Sequence, residues 1–195
     1  MPRKAEDTRR AILNAAYGLF HKKGFGRVGV DEIAAAADVT KRTLYYHFKS
    51  KDQILKSVLV QQSDLAMLQL RKRESRYTGD AGEILANLFS DLAKWSATPG
   101  WTGAGFTRLV MELADLPGHP ARTIARRHKT IMEEWWAGIL RRAKVPSPRE
   151  RAREIMVLGE GAMAMILIHG EPSYADAALA AARRLILGKV QRRSA

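Results

Sequence analysis

The sequence of 195 residues predicts an all-α protein. Apolar residues recur at three- and four-residue spacing along the chain, and helix-capping residues, glycines and prolines separate these periodic segments. No segment shows the apolar–polar alternation of a strand convincingly. We predict a three-helix head with a helix-turn-helix over residues 1–55. A helical body for ligand binding and dimerisation follows over residues 56–195.

The head divides into short helical segments with clear ends. Residues 8–23 form an amphipathic pattern, which Gly24 ends. A short helix is predicted over residues 30–37, followed by a turn. Thr40 is a good N-cap for the next helix, in which Leu44 lies on the apolar side.

Two further features complete the local prediction around this helix. Val39 and Leu44 have the spacing of a hydrophobic staple, which sets the angle at which the chain enters the helix. Ser50 and Gln53 form a capping box for a helix that continues to about residue 76.

The sequence predicts five more helices in the body. The sequence Ser147-Pro148-Arg149-Glu150 combines an N-cap, a proline at the first helical position and a capping-box glutamate. The predicted helices span about 80–97, 102–115, 120–143, 147–169 and 173–190.

The charge of the chain indicates a polyanionic partner. Net charge is +13, and the first 56 residues hold 12 Lys and Arg against 6 Asp and Glu. Nearly half of the excess therefore lies in under a third of the chain, which favours a nucleic-acid contact near the amino terminus. A generally basic soluble protein is the alternative that charge alone leaves open.

Several classes of site and location are not expected. The chain has no cysteine, so we expect no disulfide and no thiolate metal site. The lack of cysteine also favours a reducing cytoplasm as the location of the protein. The first seven residues lack the apolar run of a secretory signal. The longest apolar stretch, 155–168, contains Glu160 and is shorter than the ~20 residues of a membrane span. We therefore expect no membrane partner.

The helix that starts at Thr40 has two different faces. At 100° per residue, Leu44 and Phe48 fall together, and Arg42 and Tyr46 fall on the opposite side. Arg and Lys can bind guanine or phosphate, Thr can contact a thymine methyl, and Tyr hydroxyls suit phosphate. The predicted DNA-binding residues are Thr40, Lys41, Arg42, Thr43, Tyr45, Tyr46, His47 and Lys51.

Lys51 lies in the first turn of the following helix, where free backbone N–H groups also favour an anion. The alternative for Tyr45, Tyr46 and His47 is that they are core aromatics, although the adjacent lysines and Arg42 argue against a core. His47 lies to one side of the helix and could instead cap or pack.

At these residues the sequence resembles the head of the TetR (tetracycline-repressor) family of bacterial regulators. The resemblance implies a helix-turn-helix at roughly 29–48, base reading by residues 40–47 and phosphate binding by Tyr46 and Lys51. It also implies a homodimer and an effector pocket in the body. The matching segments are AILNAA at 11–16, Phe20, GF at 24–25, VDEIA at 30–34 and TKRTLYYHFKSK at 40–51.

The chain departs from the family pattern at two places. Val28-Gly29 stands where a Thr/Ser pair often opens the second helix, so a hydroxyl cap and possible phosphate donor are missing. Asp38 stands where the turn usually holds glycine. Aspartate tolerates a positive φ better than most residues, so we expect the turn to survive.

No enzymatic motif is convincing. Residues 24–29 match G-x-G-x-x-G, but a dinucleotide site needs a strand before the glycines, and here a helix precedes them. The histidines have no metal-ligand spacing, and no nucleophile elbow or P-loop occurs. We expect no enzyme activity and no cofactor.

The body offers candidates for an effector pocket and a dimer interface. Large apolar groups concentrate in the middle helices, where they could line a cavity or form an ordinary core. Small and apolar residues on the last two helices would allow close pairing with a second copy, as the family resemblance implies. The pocket candidates are Trp95, Trp101, Phe106, Met111, Met132, Trp135 and Trp136. The interface candidates are Gly159, Ala162, Met163, Ile166, Leu185 and Ile186.

These features predict a sequence-specific, ligand-responsive transcriptional repressor that binds a palindromic double-stranded operator as a dimer. We expect it in the cytoplasm, associated with the nucleoid when bound to DNA. A non-specific architectural DNA-binding protein without effector is the first alternative. An enzyme or ligand carrier with an incidentally basic head is the second.

Overall fold

The computed structural model describes residues 5–74, 80–103 and 105–187, apart from the side chain of Arg73, and these residues form an all-α fold. The predicted fold class is confirmed. The helices of the described residues are α1 (Ala5–Lys23), α2 (Val30–Ala36), α3 (Lys41–His47), α4 (Lys51–Glu74), α5 (Ala81–Ser96), α6 (Gly105–Met111), α7 (Pro120–Arg142), α8 (Pro148–His169) and α9 (Ser173–Leu187).

Capping explains several of these boundaries. Gly24, at φ +86°, ends α1, and its N–H donates to Phe20 O at 2.9 Å. The hydroxyl of Thr40 accepts from Thr43 N at 3.1 Å at the start of α3. At the start of α4, Ser50 Oγ accepts from Gln53 N at 3.1 Å. The predicted end of α1 and the predicted starts of α3 and α4 are confirmed.

Two sequence-based expectations in the body are wrong. Ser147 has left-handed backbone angles and makes no side-chain cap bond, so the predicted serine cap is absent, and α8 starts with Pro148 at its first position. Helix α6 spans Gly105–Met111 rather than 102–115. The helix cannot extend toward the amino terminus through Gly103, because that residue has φ +86°. After Met111 the chain forms turns, with hydrogen bonds such as Leu113 N to Val110 O at 3.1 Å. The predicted ends of two other helices, near residues 76 and 190, lie outside the described residues.

The chain divides into two compact units. The first unit comprises the described residues up to Leu68 together with Gly105–His128, and the second comprises the remaining described residues. The first unit has a core built around Ile12, Phe20, Ile33 and Leu44. This division follows packing, whereas the predicted boundary between residues 55 and 56 separates functions and stays a prediction.

The second unit has a core of its own. Helices α5, α8 and α9 pack against one another there, with Leu85, Leu140 and Ile155 fully buried. Alanines such as Ala178 and Ala182 let α9 approach its neighbours closely. Within the part of the chain that is described, no helix combines the length and apolar character that crossing a membrane requires.

Candidate nucleic-acid interface

The helix-turn-helix consists of α2, a short turn and α3. Asp38 adopts φ +55° in the turn, as expected for the residue in the glycine position. Its N–H donates to Ala35 O at 3.1 Å, and Val39 N donates to Ala34 O at 3.0 Å. Gly29 caps α2 without a side-chain hydrogen bond, so the hydroxyl cap that the sequence lacks is not replaced.

The apolar side of helix α3 packs against the core of the first unit. Leu44 is completely buried, and Phe48 is nearly so, in the core of the first unit. Val39, before the cap, also packs against this core. Because these contacts fix the rotation of α3 about its axis, the direction of its opposite face is set by the core.

The opposite face of α3 is open to solvent. Tyr46 is 82% exposed, Tyr45 is 45% exposed, and Lys41 and Arg42 are exposed as well. Arg42 makes no hydrogen bond or ion pair with any of the described residues. The structure therefore brings Arg42 and Tyr46, one turn apart, to the same free surface, as the helical spacing predicts.

Three other predicted residues make local contacts on this surface. Thr43 is half-buried, and its hydroxyl lies 2.8 Å from that of Thr40. Lys41 Nζ pairs with Asp31 Oδ1 of α2 at 2.9 Å. The hydrogen bond to Asp31, and then the charge of Asp31, raise the pKa of Lys41. His47 is half-buried, and its ring meets that of Tyr46 edge-on at 5.2 Å.

Lys51 is engaged in a way that the sequence does not indicate. Its Nζ donates to Phe25 O and Val28 O, both at 3.1 Å, and lies 4.3 Å from the centre of the Phe25 ring. An ammonium group has three donor hydrogens, so these two bonds leave one for another acceptor.

Arg9 of α1 also lies beside α3, and sequence reasoning missed it. Its guanidinium stacks over the Phe48 ring at 4.9 Å, and its Nη2 donates to Ser57 Oγ at 3.3 Å. The only available signal was its position on the polar side of the α1 pattern, which many solvated arginines share.

The candidates for the effector pocket are divided between the units. Trp95, Trp101, Met132, Trp135 and Trp136 belong to the second unit, and Phe106 and Met111 belong to the first. Trp95 and Trp101 meet edge-on at 5.5 Å. Trp136 is buried in the core of the second unit, so the ordinary-core alternative applies to it.

The two candidates in the first unit differ from each other. Phe106 stacks on His128 at 4.1 Å and packs against the core. Met111 is 67% exposed.

The interface candidates differ in how much of their surface is exposed. Ala162 and Ile166 are buried within the protomer, so they have almost no surface left to offer a partner. Gly159, Met163, Leu185 and Ile186 are half-buried, and Ile186 packs against the core of the second unit. The outer side of α8 is formed instead by Val157, Gly161, Ala164 and Ile168.

The chain matches a known family over its helix-turn-helix. Residues 12–58 match the family described as bacterial regulatory proteins, tetR family. The chain is 29% identical over 96 residues to the transcriptional regulator AcrR of Shigella flexneri, across 49% of this chain and 44% of that protein. It is 32% identical over 72 residues to the regulator UidR of Escherichia coli K12, across 37% of each chain. The aligned regions thus span less than half the length of these curated relatives.

Solved structures share the fold over nearly the whole chain. E. coli NemR has a TM-score of 0.85 and 21% identity, over 94% of this chain and 99% of that one. A TetR-family regulator from Streptomyces coelicolor has a TM-score of 0.82 and 24% identity, over 93% of this chain and 95% of that one. AcrR and UidR are both described as transcriptional regulators.

Proposed function

We propose that this chain is a TetR-family regulator, which the family match and the related proteins support. In this proposal it represses transcription at a specific DNA operator. The exposed face of α3 would enter the major groove and read base edges. A two-fold dimer would present two such helices to a palindromic site. The protein would act in the cytoplasm, on the nucleoid.

The observation that carries the proposal is the free surface of α3. Arg42 and Tyr46 project from a helix whose other side is clamped by buried Leu44 and Phe48. An arginine that has no partner among the described residues is available for a bidentate bond to guanine O6 and N7. The Tyr46 hydroxyl suits a backbone phosphate, which would fix the register of the helix.

We propose that the dimer forms through the outer side of α8, with α9 beside it. Val157, Gly161, Ala164 and Ile168 follow one another at i, i+4, i+7 and i+11, so they share one face. Ile168 is 71% exposed, and Val157 is similarly open. Gly161 and Ala164 between them would let a second helix approach closely, while the two larger side chains supply apolar area.

An effector would act through the aromatic residues of the second unit. Trp95, Trp101 and Trp135 are the half-buried or exposed members there that an apolar or aromatic ligand could contact. The exposed doublet Arg183-Arg184 would favour an anionic effector as a second candidate. Binding would lower operator affinity only if the ligand prefers the conformation that does not bind DNA.

The test begins with selection of bound duplexes from a random-sequence DNA library, which supplies the operator. Fluorescence anisotropy at fixed salt then compares the wild type with Arg42→Ala, Tyr46→Ala and Arg141→Ala. We expect Arg42→Ala and Tyr46→Ala to cost about 1–3 kcal/mol of operator affinity each. Arg141 is exposed on α7 in the second unit, so Arg141→Ala controls for the loss of one positive charge.

The outcomes separate the candidate functions. Intact operator binding by both α3 variants would contradict the proposal. Equal affinity for the selected operator and for random competitor DNA would favour the architectural alternative, in which binding depends on salt but little on sequence. No DNA affinity at moderate salt would favour an enzyme or carrier.

A further inference from the structure

A carboxylate from outside the helix-turn-helix holds the loop between α1 and α2. Glu112, directly after α6, accepts two hydrogen bonds through Oε2, from Phe25 N at 2.7 Å and from Gly26 N at 3.3 Å. A Cβ on Gly24 would lie only 2.6 Å from Glu112 Oε1. Glycine at position 24 therefore serves both the positive φ and the close approach of this carboxylate.

The same face of α6 also holds the last turn of α1. Arg108, one helical turn before Glu112, donates through Nη1 to His21 O at 2.9 Å. Its Nε lies 3.6 Å from Glu112 Oε1, which orients the carboxylate toward the loop. Since the last carbonyls of a helix lack intrahelical donors, this bond satisfies a group that would otherwise need water.

Phe25 connects this anchor to the first turn of α4. Its N–H is bound by Glu112, its carbonyl accepts from Lys51 Nζ at 3.1 Å, and its ring lies under the same ammonium. The ring is buried against Phe20, with the centroids 5.3 Å apart. The main-chain position of Phe25 thus sets where the Lys51 ammonium can lie.

We propose that Glu112 is a positioning residue for DNA binding, which acts through Phe25 on Lys51. This inference rests on the proposed function, because Lys51 matters here as a phosphate ligand. A free lysine side chain loses considerable rotamer entropy when it is fixed on a phosphate. In this structure, two carbonyls already hold the ammonium, so part of that loss is incurred on folding rather than on binding DNA.

The charge of Glu112 makes the proposal easy to separate from a general electrostatic effect. Removing a carboxylate from a protein that binds DNA should strengthen binding if only the overall field matters. Removing a carboxylate that positions Lys51 should weaken it. Glu134, exposed on α7 in the second unit, provides the matched control, since Glu134→Ala removes the same charge elsewhere.

The experiment is a double-mutant cycle on operator affinity with the full-length protein. Anisotropy titrations with the selected operator compare the wild type, Glu112→Ala, Lys51→Ala and the double variant. We expect Glu112→Ala to weaken binding about 3- to 10-fold, and to change it less than about twofold when Lys51 is already alanine. Glu134→Ala should leave affinity unchanged or slightly increase it.

Salt dependence and a conservative variant give readouts that a merely structural role would not move. The slope of log K against log salt should flatten by about 0.9 in Lys51→Ala, the value for one phosphate contact, and by a similar amount in Glu112→Ala. Glu112→Gln keeps an acceptor oxygen for the loop amides, so it should restore most of the affinity. If Glu112→Ala fails to fold, as judged by circular dichroism, Glu112→Leu replaces it in the cycle, because leucine fills similar space and has no acceptor oxygen.

Independent, multiplicative losses in the cycle would overturn the positioning proposal, and so would normal binding by Lys51→Ala. In either case a large loss in Arg42→Ala would leave the proposed function standing. If the wild type selects no operator, the proposed function fails, and the role of Glu112 in DNA binding fails with it.

Discussion

The surroundings of His21 make the stability of the first unit depend on pH. Partial burial lowers the pKa of His21 below 6.5, and the positive charge of Arg108 lowers it further. The Tyr17 ring packs beside the imidazole at 5.8 Å. The native state therefore takes up a proton at His21 less readily than the unfolded chain does.

The sign of the pH effect follows from this difference. Above the unfolded pKa both states are neutral at His21, so the shift has no effect on stability. As pH falls through 6.5, the unfolded state binds the proton first and the native state loses stability. We expect the Tm to fall between about pH 7.5 and about pH 5.5 in the wild type, and to fall less in His21→Gln. Equal pH dependence of the two proteins, measured by thermal unfolding, would contradict this assignment.

At the scale of the element, α3 depends on one side-chain cap. Thr40 Oγ1 accepts from Thr43 N at 3.1 Å, and α3 is only seven residues long, so this bond serves a large part of its first turn. We expect Thr40→Ala to cost about 1 kcal/mol of unfolding free energy, because an N–H in this turn loses its acceptor. Thr40→Ser keeps the acceptor and should stay close to the wild type. Urea unfolding followed by circular dichroism measures both, and an unchanged midpoint in Thr40→Ala would show that the cap is dispensable.

The elements of the helix-turn-helix could be predicted because their signals are local. The Thr40 cap, the staple of Val39 with Leu44, and the spacing of Leu44 and Phe48 all lie within ten residues. They are sufficient to place α3 and to indicate which side of it is buried. The exposed face then follows, with Arg42 and Tyr46 on it.

Contacts between distant parts of the chain could not be predicted in this way. Glu112 binds the amide of Phe25 across 87 residues, and no local pattern links the two. The bonds from Lys51 to the loop carbonyls depend on the same long-range packing. On α8 the difficulty is different, because both sides are apolar. Periodicity alone therefore does not tell buried Ile166 from exposed Ile168.

At the scale of the whole molecule, the proposed dimer depends on the exposed side of α8. An apolar stripe that includes Val157 and Ile168 is costly to leave in water, and its spacing suits a second helix. A two-fold axis through this stripe would pair each protomer with an identical surface. Two α3 helices on one DNA face would then meet half-sites about 34–36 Å apart, or a multiple of that distance.

Sedimentation velocity tests this arrangement directly. We expect the wild type to be a dimer at micromolar concentration, and Ile168→Glu to raise the dimer dissociation constant by about tenfold or more, because two like charges would be buried across the axis. Leu116→Glu changes an exposed apolar residue of the first unit, between α6 and α7, and should leave the dimer intact. Since each head of an Ile168→Glu monomer keeps its own α3, binding to a single half-site should persist while tight binding to the full palindrome is lost. A wild-type monomer at these concentrations, or an Ile168→Glu dimer as stable as the wild type, would remove α8 as the interface.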